Sequence, residues 1–237
     1  MKGVKRVAVV AKRAGVRSKT GKTLKRFGYR MVNKKPDLVV AIGGDGTYLH
    51  AERVFPGAPK LLIRDSNICL KCNDESLRRT LKACASRGYR TEGFAKIEGV
   101  IEKDRSKSRP RAAANDIVIR NRDQTQAIRF AVKVDGKGLG GTLIGDGVVI
   151  STPFGGEAYY KAITGRGFRK GIGIAFNNVV GRRKGLVVQE NARVVVTLKR
   201  GHALVSFDND PRMAPLHQGE RVVVKKAREK ARVIRLA

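Results

Sequence analysis

Long apolar runs are what this chain most plainly lacks. No stretch approaches the roughly 18 residues that a membrane-crossing helix requires, and the N-terminal MKGVKRVAVVAKRAG carries no signal-peptide pattern. A cytoplasmic protein without a membrane partner is the expectation, with Val7–Ala11 a first core strand. Tryptophan is absent, and five tyrosines and eight phenylalanines leave little for stacking on nucleic-acid bases. Cysteine is scarce: Cys69 and Cys72 form one CxxC, and Cys84 lies beyond it. A zinc site wants a second such pair or histidines at ligand spacing, and His50, His202 and His217 are scattered. No protein-held metal site is therefore expected, and a reducing compartment suits the composition. Acidic residues are few as well: 20 Asp plus Glu face 51 Lys plus Arg, a formal charge of +31. Such a surface attracts polyanions, among them RNA, polyphosphate, nucleotides and anionic lipid. The cations are spread over the whole chain, so nucleic acid is expected only as a non-specific partner of a basic surface.

What is present falls into two regimes. Residues 1–90 alternate strand and helix: VAVVA, then SKTGKTLKRFGYR; DLVVAI, then TYLHAERVF; KLLI, then DESLRRTLKACASRG. In the last helix Leu77, Leu81 and Cys84 share a face, and Asp74 stands where a cap is expected. Alternation of this kind predicts an α/β domain with a Rossmann-like parallel sheet covered by helices. Over residues 91–237 helices nearly vanish. AKIEGVIEK, NDIVIRN, AIRFAVKVDG, GDGVVIST, GLVVQ, ARVVVTLKR, ALVSFDN and ERVVVKK read as short strands of a mostly-β domain, a β-sandwich. EKDRSKSRPR between Glu102 and Arg111 reads as a charged loop. ARVIRLA at the end reads as one more strand, which could return to the first domain.

Three segments bear on chemistry. GVRSKTGKT resembles a phosphate-binding P-loop, but five residues separate Gly15 from Gly21 where that motif needs four, and its cradle of amides depends on loop length. GGDGT (Gly43–Thr47) follows a strand and opens a helix, so backbone amides face any phosphate placed there. Asp45 in that turn opposes a phosphate's charge. It makes sense as the acceptor of a proton from a hydroxyl attacking a phosphoryl group, or as a carboxylate helping to hold Mg²⁺; a plain helix cap is the other reading. DGVVISTPFGGEAYY (Asp146–Tyr160) again runs a strand into a glycine-bearing turn, with Thr152, Glu157 and Tyr159 around it.

Taken with AANDIVI (Ala113–Ile119), these blocks resemble the NAD kinase family, which carries GGDGT, an Asn-Glu pair before a strand and a DG–strand–TPTGSTAY segment in that order. FNNVV (Phe176–Val180) and VSFDND (Val205–Asp210) fall where the family has a loop and a late strand ending in Asp. The resemblance implies an NAD kinase-like fold and transfer of a γ-phosphoryl from ATP, or from polyphosphate, to the adenosine ribose 2′-hydroxyl of NAD. Mg²⁺ and a homo-oligomer, dimer or tetramer, are implied with it. Carried over by position, Asp45 is the hydroxyl-activating carboxylate, and Gly43, Gly44, Gly46 and Thr47 shape the phosphate loop. Asn115 and Asp116 take the Asn-Glu place, Asp116 on a shorter stem. Thr152, Phe154, Glu157, Ala158 and Tyr159 fall in the nucleoside-binding segment, with Tyr159 placed to pack on a base. Asp146 matches an aspartate that can face a ligand across a subunit boundary. Lys12 and Arg13, just after the first strand, are candidate donor-phosphate contacts.

Three departures from the family pattern concern the acceptor. Gly156 and Glu157 replace Ser and Thr, so an acceptor-only carboxylate stands where a hydroxyl is usual. Phe154 stands where a small polar residue is usual, and KLLIRDSNICLKCN (residues 60–73) lacks the glycines of the family's corresponding loop. Two other functions therefore stay open at this point. One is a related kinase acting on a lipid, sugar or polyol hydroxyl; the other is a non-catalytic polyanion-binding protein.

Overall fold

The computed structural model describes residues 1, 3–67, 69, 71–181 and 185–236. Ile68 and Leu70 of the glycine-free segment, and Ala237 at the end of ARVIRLA, lie outside the described residues. The chain divides into two compact units, Met1–Phe94 with Lys230–Ala237, and Ala95–Glu229.

In chain order the first elements are β1 (Arg6–Ala11), α1 (Ala14–Arg26), β2 (Arg30–Met31), β3 (Leu38–Gly43), α2 (Asp45–Val54), β4 (Lys60–Arg64) and α3 (Leu77–Ser86). There follow β5 (Tyr89–Glu102), β6 (Arg111–Ala113), β7 (Asp116–Asn121), β8 (Ile128–Val134), β9 (Lys137–Gly145), β10 (Gly147–Ser151) and α4 (Tyr159–Thr164). The last are β11 (Ile172–Asn177), β12 (Gly185–Val188), β13 (Val194–Arg200), β14 (Ala203–Phe207), β15 (Ala214–Leu216) and β16 (Arg221–Leu236).

In the first unit the strand order is β2-β1-β3-β4, parallel throughout, and Val233 of β16 pairs in parallel with Lys60 of β4. β3 is buried along its whole length, as its unbroken apolar run predicts for a strand covered on both faces. One face packs Val7, Val9, Val40 and Ile63 against Leu24 of α1 and Leu77, Leu81 and Cys84 of α3. The segment GVRSKTGKT lies inside α1, which fits its failure to meet P-loop spacing. α3 is capped by Ser76, whose hydroxyl accepts from the Arg79 amide at 3.4 Å, and not by Asp74. Arg64 engages the Asp74 carboxylate at 2.6 Å instead.

In the second unit β16, β13, β8 and β9 form one antiparallel sheet, and β12-β11-β10-β7-β14-β15 another. Their inner faces share a core of Phe130, Val132, Val194, Val196, Ile117, Ile119, Val148, Ile150 and Phe176, the expected build of a sandwich. At about 25 cal/mol per Å² of apolar surface, each such side chain contributes roughly 1.5–3 kcal/mol. The outer face of the β7-β10-β11 region is also covered: Val118, Val149 and Ala175 pack with Tyr160 of α4, and Phe168 meets the Tyr160 ring edge-on at 4.7 Å.

Some elements differ from the sequence reading. The β region holds a helix, α4, because a stretch read as a turn closes into a helical turn over the outer sheet face. β9 is a full strand despite its glycines, since Asp135 and Gly136, both at positive φ, turn β8 back onto it as a two-residue hairpin. ERVVVKK and ARVIRLA form one continuous strand, β16.

Candidate active site

The turn after β3 is set by backbone geometry. Gly43 sits at φ +156°, and a Cβ there would overlap the hydroxyl of Thr47, so only glycine fits. Gly44 is the N-cap of α2, and its carbonyl accepts the amides of Thr47 (2.9 Å) and Tyr48 (3.3 Å). Asp45 is therefore the first residue of α2 and half-buried, where the positive end of the helix dipole favours a carboxylate. Sγ of Cys69 lies 3.3 Å from its Oδ1, and Sγ of Cys72 lies 3.6 Å from the Gly43 carbonyl oxygen. Thr47 is buried, and among the described residues its hydroxyl has no hydrogen-bond partner. A buried hydroxyl of this kind calls for a partner such as a water, an ion or a ligand atom. At its other end α2 is anchored by a buried ion pair: Lys60 Nζ donates to Glu52 and, at 2.6 Å, to the Phe55 carbonyl. Arg13 caps α1 and pairs with Asp65 at 2.7 Å; it and Lys12 are exposed.

In the second unit Asn115 and Asp116 enter β7 through a clamp made by a distant residue. Asp208, just past β14 and at φ +48°, accepts the amides of Ala114 (2.8 Å), Asn115 (2.7 Å) and Asp116 (3.1 Å). Its own amide donates to the Asp116 carbonyl at 2.9 Å. Burial pushes the Asp208 carboxyl above the usual carboxylate range, while the three amides and Lys96 pull it down. Arg111 stacks over Phe207 at 4.3 Å and pairs with Asp210 at 2.9 Å, fixing the same corner.

The TPFGG turn closes on Asn115 from the other side. The Thr152 hydroxyl donates to the Ala114 carbonyl at 2.6 Å and accepts the Gly155 amide at 3.1 Å. The Thr152 amide and the Ser151 hydroxyl both donate to the Asn115 carbonyl, at 2.8 and 3.2 Å. A Cβ on Gly155 would strike the Asn115 backbone. The Asn115 side-chain oxygen is left buried with no hydrogen-bond partner among the described residues. Phe154 is buried in this turn; Ala158 caps α4, and Tyr159 is its exposed first residue. Glu157 is exposed and occupied locally by Lys161 at 2.7 Å.

Within this unit, then, Asn115, Asp116, Thr152, Phe154, Glu157, Ala158 and Tyr159 belong to one cluster of elements, and Asp146 does not. Ser151 pairs with Asp116 and Gly147 with Arg120, so Asp146 and Thr152 flank opposite ends of β10. At about 3.4 Å per residue that is about 20 Å. Asp146 accepts from Asn178 Nδ2 at 3.1 Å and sits near exposed Ile144 and Val180. Sequence reasoning missed Ser151, the Asp208 clamp and the contact of the CxxC with Asp45. VSFDND placed Asp208 at a strand end but gave no sign of what it would hold.

Comparison with known proteins was consistent across sequence and structure. A family model described as the ATP-NAD kinase C-terminal domain matches residues 114–236. An NAD kinase of Thermomicrobium roseum is 28% identical over 205 residues, covering 84% of this chain and 70% of the relative. An NAD kinase of Heliobacterium modesticaldum is 28% identical over 210 residues, covering 84% of this chain and 74% of the relative. Among solved structures, a yeast NADH kinase complexed with NADH superposes with TM-score 0.83 at 16% identity, over 98% of this chain and 83% of that one. An NAD kinase from Archaeoglobus fulgidus in complex with ATP superposes with TM-score 0.77 at 21% identity, over 98% and 93%. At these identities the structural matches speak to the fold.

Proposed function

Because the chain belongs to the NAD kinase family, we infer that it transfers the γ-phosphoryl of ATP to the adenosine ribose 2′-hydroxyl of NAD, giving NADP and ADP. It is a kinase, a phosphotransferase acting on a hydroxyl group. The observation that carries the residue assignment is the pair of orphaned buried oxygens, Thr47 Oγ1 and Asn115 Oδ1, each in a segment with the family's pattern.

In this reading Asp45 takes the proton of the ribose hydroxyl as its oxygen attacks the γ-phosphorus and ADP leaves. Gly43, Gly44, Gly46 and Thr47 present backbone amides and one hydroxyl to phosphate oxygens. Asn115 and Asp116, held rigid by Asp208 and Thr152, supply an amide oxygen and a carboxylate to the adenosine. Ala158 and Phe154 shape that pocket, and Tyr159, with its ring exposed, packs on a base. Lys12 and Arg13 draw in the donor's phosphates, and polyphosphate is an alternative donor of the same chemistry. Glu157, neutralised by Lys161, is compatible with a nucleotide nearby.

Mg²⁺ fits as an ion carried in on the donor's phosphates. Among the described residues no three His, Cys, Asp or Glu side chains converge on a metal position, and magnesium commonly takes one or two carboxylates with substrate phosphates. Asp45 and Thr47 would be its protein partners, and its chemistry there is to neutralise charge on the transferring group. Asp146 acts in a homo-oligomer, dimer or tetramer, where it faces a ligand of the neighbouring subunit. Its distance from Thr152 in its own chain and the exposed Ile144 and Val180 beside it support this. We place the activity in the cytoplasm, with nucleic acid bound only non-specifically.

The test is an acceptor panel. The protein is incubated with Mg²⁺, ATP or polyphosphate, and NAD, NADH, inositol, sugars or diacylglycerol. NADP formation from NAD is expected; transfer only to a non-nucleotide hydroxyl would overturn the assignment.

A further inference from the structure

The reaction described above uses Asp45 but not the sulfur pair that touches it. Cys69 and Cys72 are joined in a disulfide, their Cα atoms 5.6 Å apart, in the segment between β4 and α3. Each sulfur lies against an oxygen of the catalytic turn: Cys69 against Asp45 Oδ1 at 3.3 Å, Cys72 against the Gly43 carbonyl at 3.6 Å. Both oxygens are hydrogen-bond acceptors. A disulfide sulfur has no proton to give them, whereas a thiol at the same place has one. The oxidised pair thus makes two sulfur–oxygen contacts that become hydrogen bonds only on reduction. Cys69 is buried and Cys72 half-buried, so Cys72 offers the sulfur that an incoming thiolate reaches.

We propose that Cys69 and Cys72 form a reversible thiol–disulfide site whose dithiol form orients Asp45 for proton acceptance. A thiolate of a dithiol reductant attacks Sγ of Cys72 and breaks the Cys69–Cys72 bond. Cys69 leaves as a thiolate and takes a proton from water. The reductant's second thiolate then displaces Cys72, which is protonated in turn, and the reductant departs as its own disulfide. Two electrons and two protons are gained by the protein. Oxidation by a disulfide runs the same steps backwards. In the dithiol form Cys69 donates to Oδ1 of Asp45 and Cys72 to the Gly43 carbonyl, holding both the carboxylate and the turn that presents it. Cys69 is thereby a positioning residue that acts through Asp45. Hydrogen bonds to a charged acceptor are the stronger ones, so the Asp45 carboxylate favours the dithiol over the disulfide.

The kinetic half of this proposal rests on the NAD kinase reading; the redox half does not. The full chain is equilibrated in mixtures of reduced and oxidised dithiothreitol, and free thiols are counted by alkylation and mass spectrometry. Cys69 and Cys72 should titrate as one two-electron couple, and Asp45→Asn should shift that equilibrium toward the disulfide by about three- to tenfold, the loss of a charge-assisted hydrogen bond. With NAD and ATP, the dithiol form should turn over about five- to tenfold faster than the disulfide form at similar KM. Cys69→Ser, which keeps a donor, should hold the faster rate under oxidant, and Cys69→Ala should not. A pair that stays oxidised at every ratio, an equilibrium unmoved by Asp45→Asn, or equal kcat in two verified redox forms each overturns the proposal. If neither form makes NADP, the function above and the kinetic half fall together, and the thiol titration alone then decides whether the pair senses Asp45.

Discussion

The turn at residues 43–47 and the segment at residues 114–116 carry the two motifs that matter most, and they are built by different means. The first is shaped by backbone: a glycine at φ +156°, a cap at Gly44, and a helix that begins on Asp45 itself. The second is shaped by side chains reaching from far along the chain, with the Asp208 carboxylate on three amides and Thr152 bonded on both sides. The Asp45 carboxylate is presented by local backbone geometry at the start of a helix. The segment at residues 114–116 is pinned by several long-range hydrogen bonds. Changes near the first should alter rate more than stability, and changes near the second should alter affinity and stability together.

The largest departure from that pattern should come from the far end of α2. Lys60→Met leaves the buried Glu52 carboxylate without that cation, and an unfolding free energy lower by about 3–5 kcal/mol is expected in urea denaturation. Next is Asp208→Ala, which strips the acceptor from three amides. A loss of about 2–4 kcal/mol, with KM for NAD raised at least about tenfold and kcat little changed, would sharpen the contrast between the two regions. A smaller effect concerns acid. Hydrogen bonds from Lys107 and Arg221 hold the Glu102 carboxyl below its ordinary value. Because the folded-state pKa is depressed, this stabilisation is complete above the ordinary Glu value of about 4.3 and is lost as pH falls through the folded value. Thermal melting of Glu102→Gln should therefore fall less steeply than that of the unmodified chain below about pH 4.5. The smallest effect is expected for Glu157→Thr, whose carboxylate is already engaged by Lys161; kcat/KM for NAD should stay within about threefold. A larger change in either direction would make Glu157 a direct contact.

The parts of this molecule visible in the sequence are the local ones. GGDGT announced itself because strand, glycines and helix start fall within a few residues, and the unbroken run LVVAI could only be a buried strand. The two-regime organisation followed from periodicity alone. Asp208 was legible as a strand end but not as a clamp, since its partners lie more than ninety positions away. Asp74 was the plausible cap of α3, yet Arg64 competes for its carboxylate and Ser76 takes the role. Helix α4 is six residues beside two glycines, too short for a helical period to register, and it forms because Tyr160 finds an apolar sheet face to cover. The CxxC spacing was plain, but nothing in the spacing told that the segment carrying it folds back onto Asp45.

The central claim is that Asp45 receives the proton of the attacking hydroxyl. Its most direct test is the rate of NADP formation by Asp45→Asn against the unmodified chain at saturating NAD and ATP. The account predicts kcat lower by about 10²–10⁴-fold with folding stability essentially preserved. Turnover within about tenfold of the unmodified chain would contradict it.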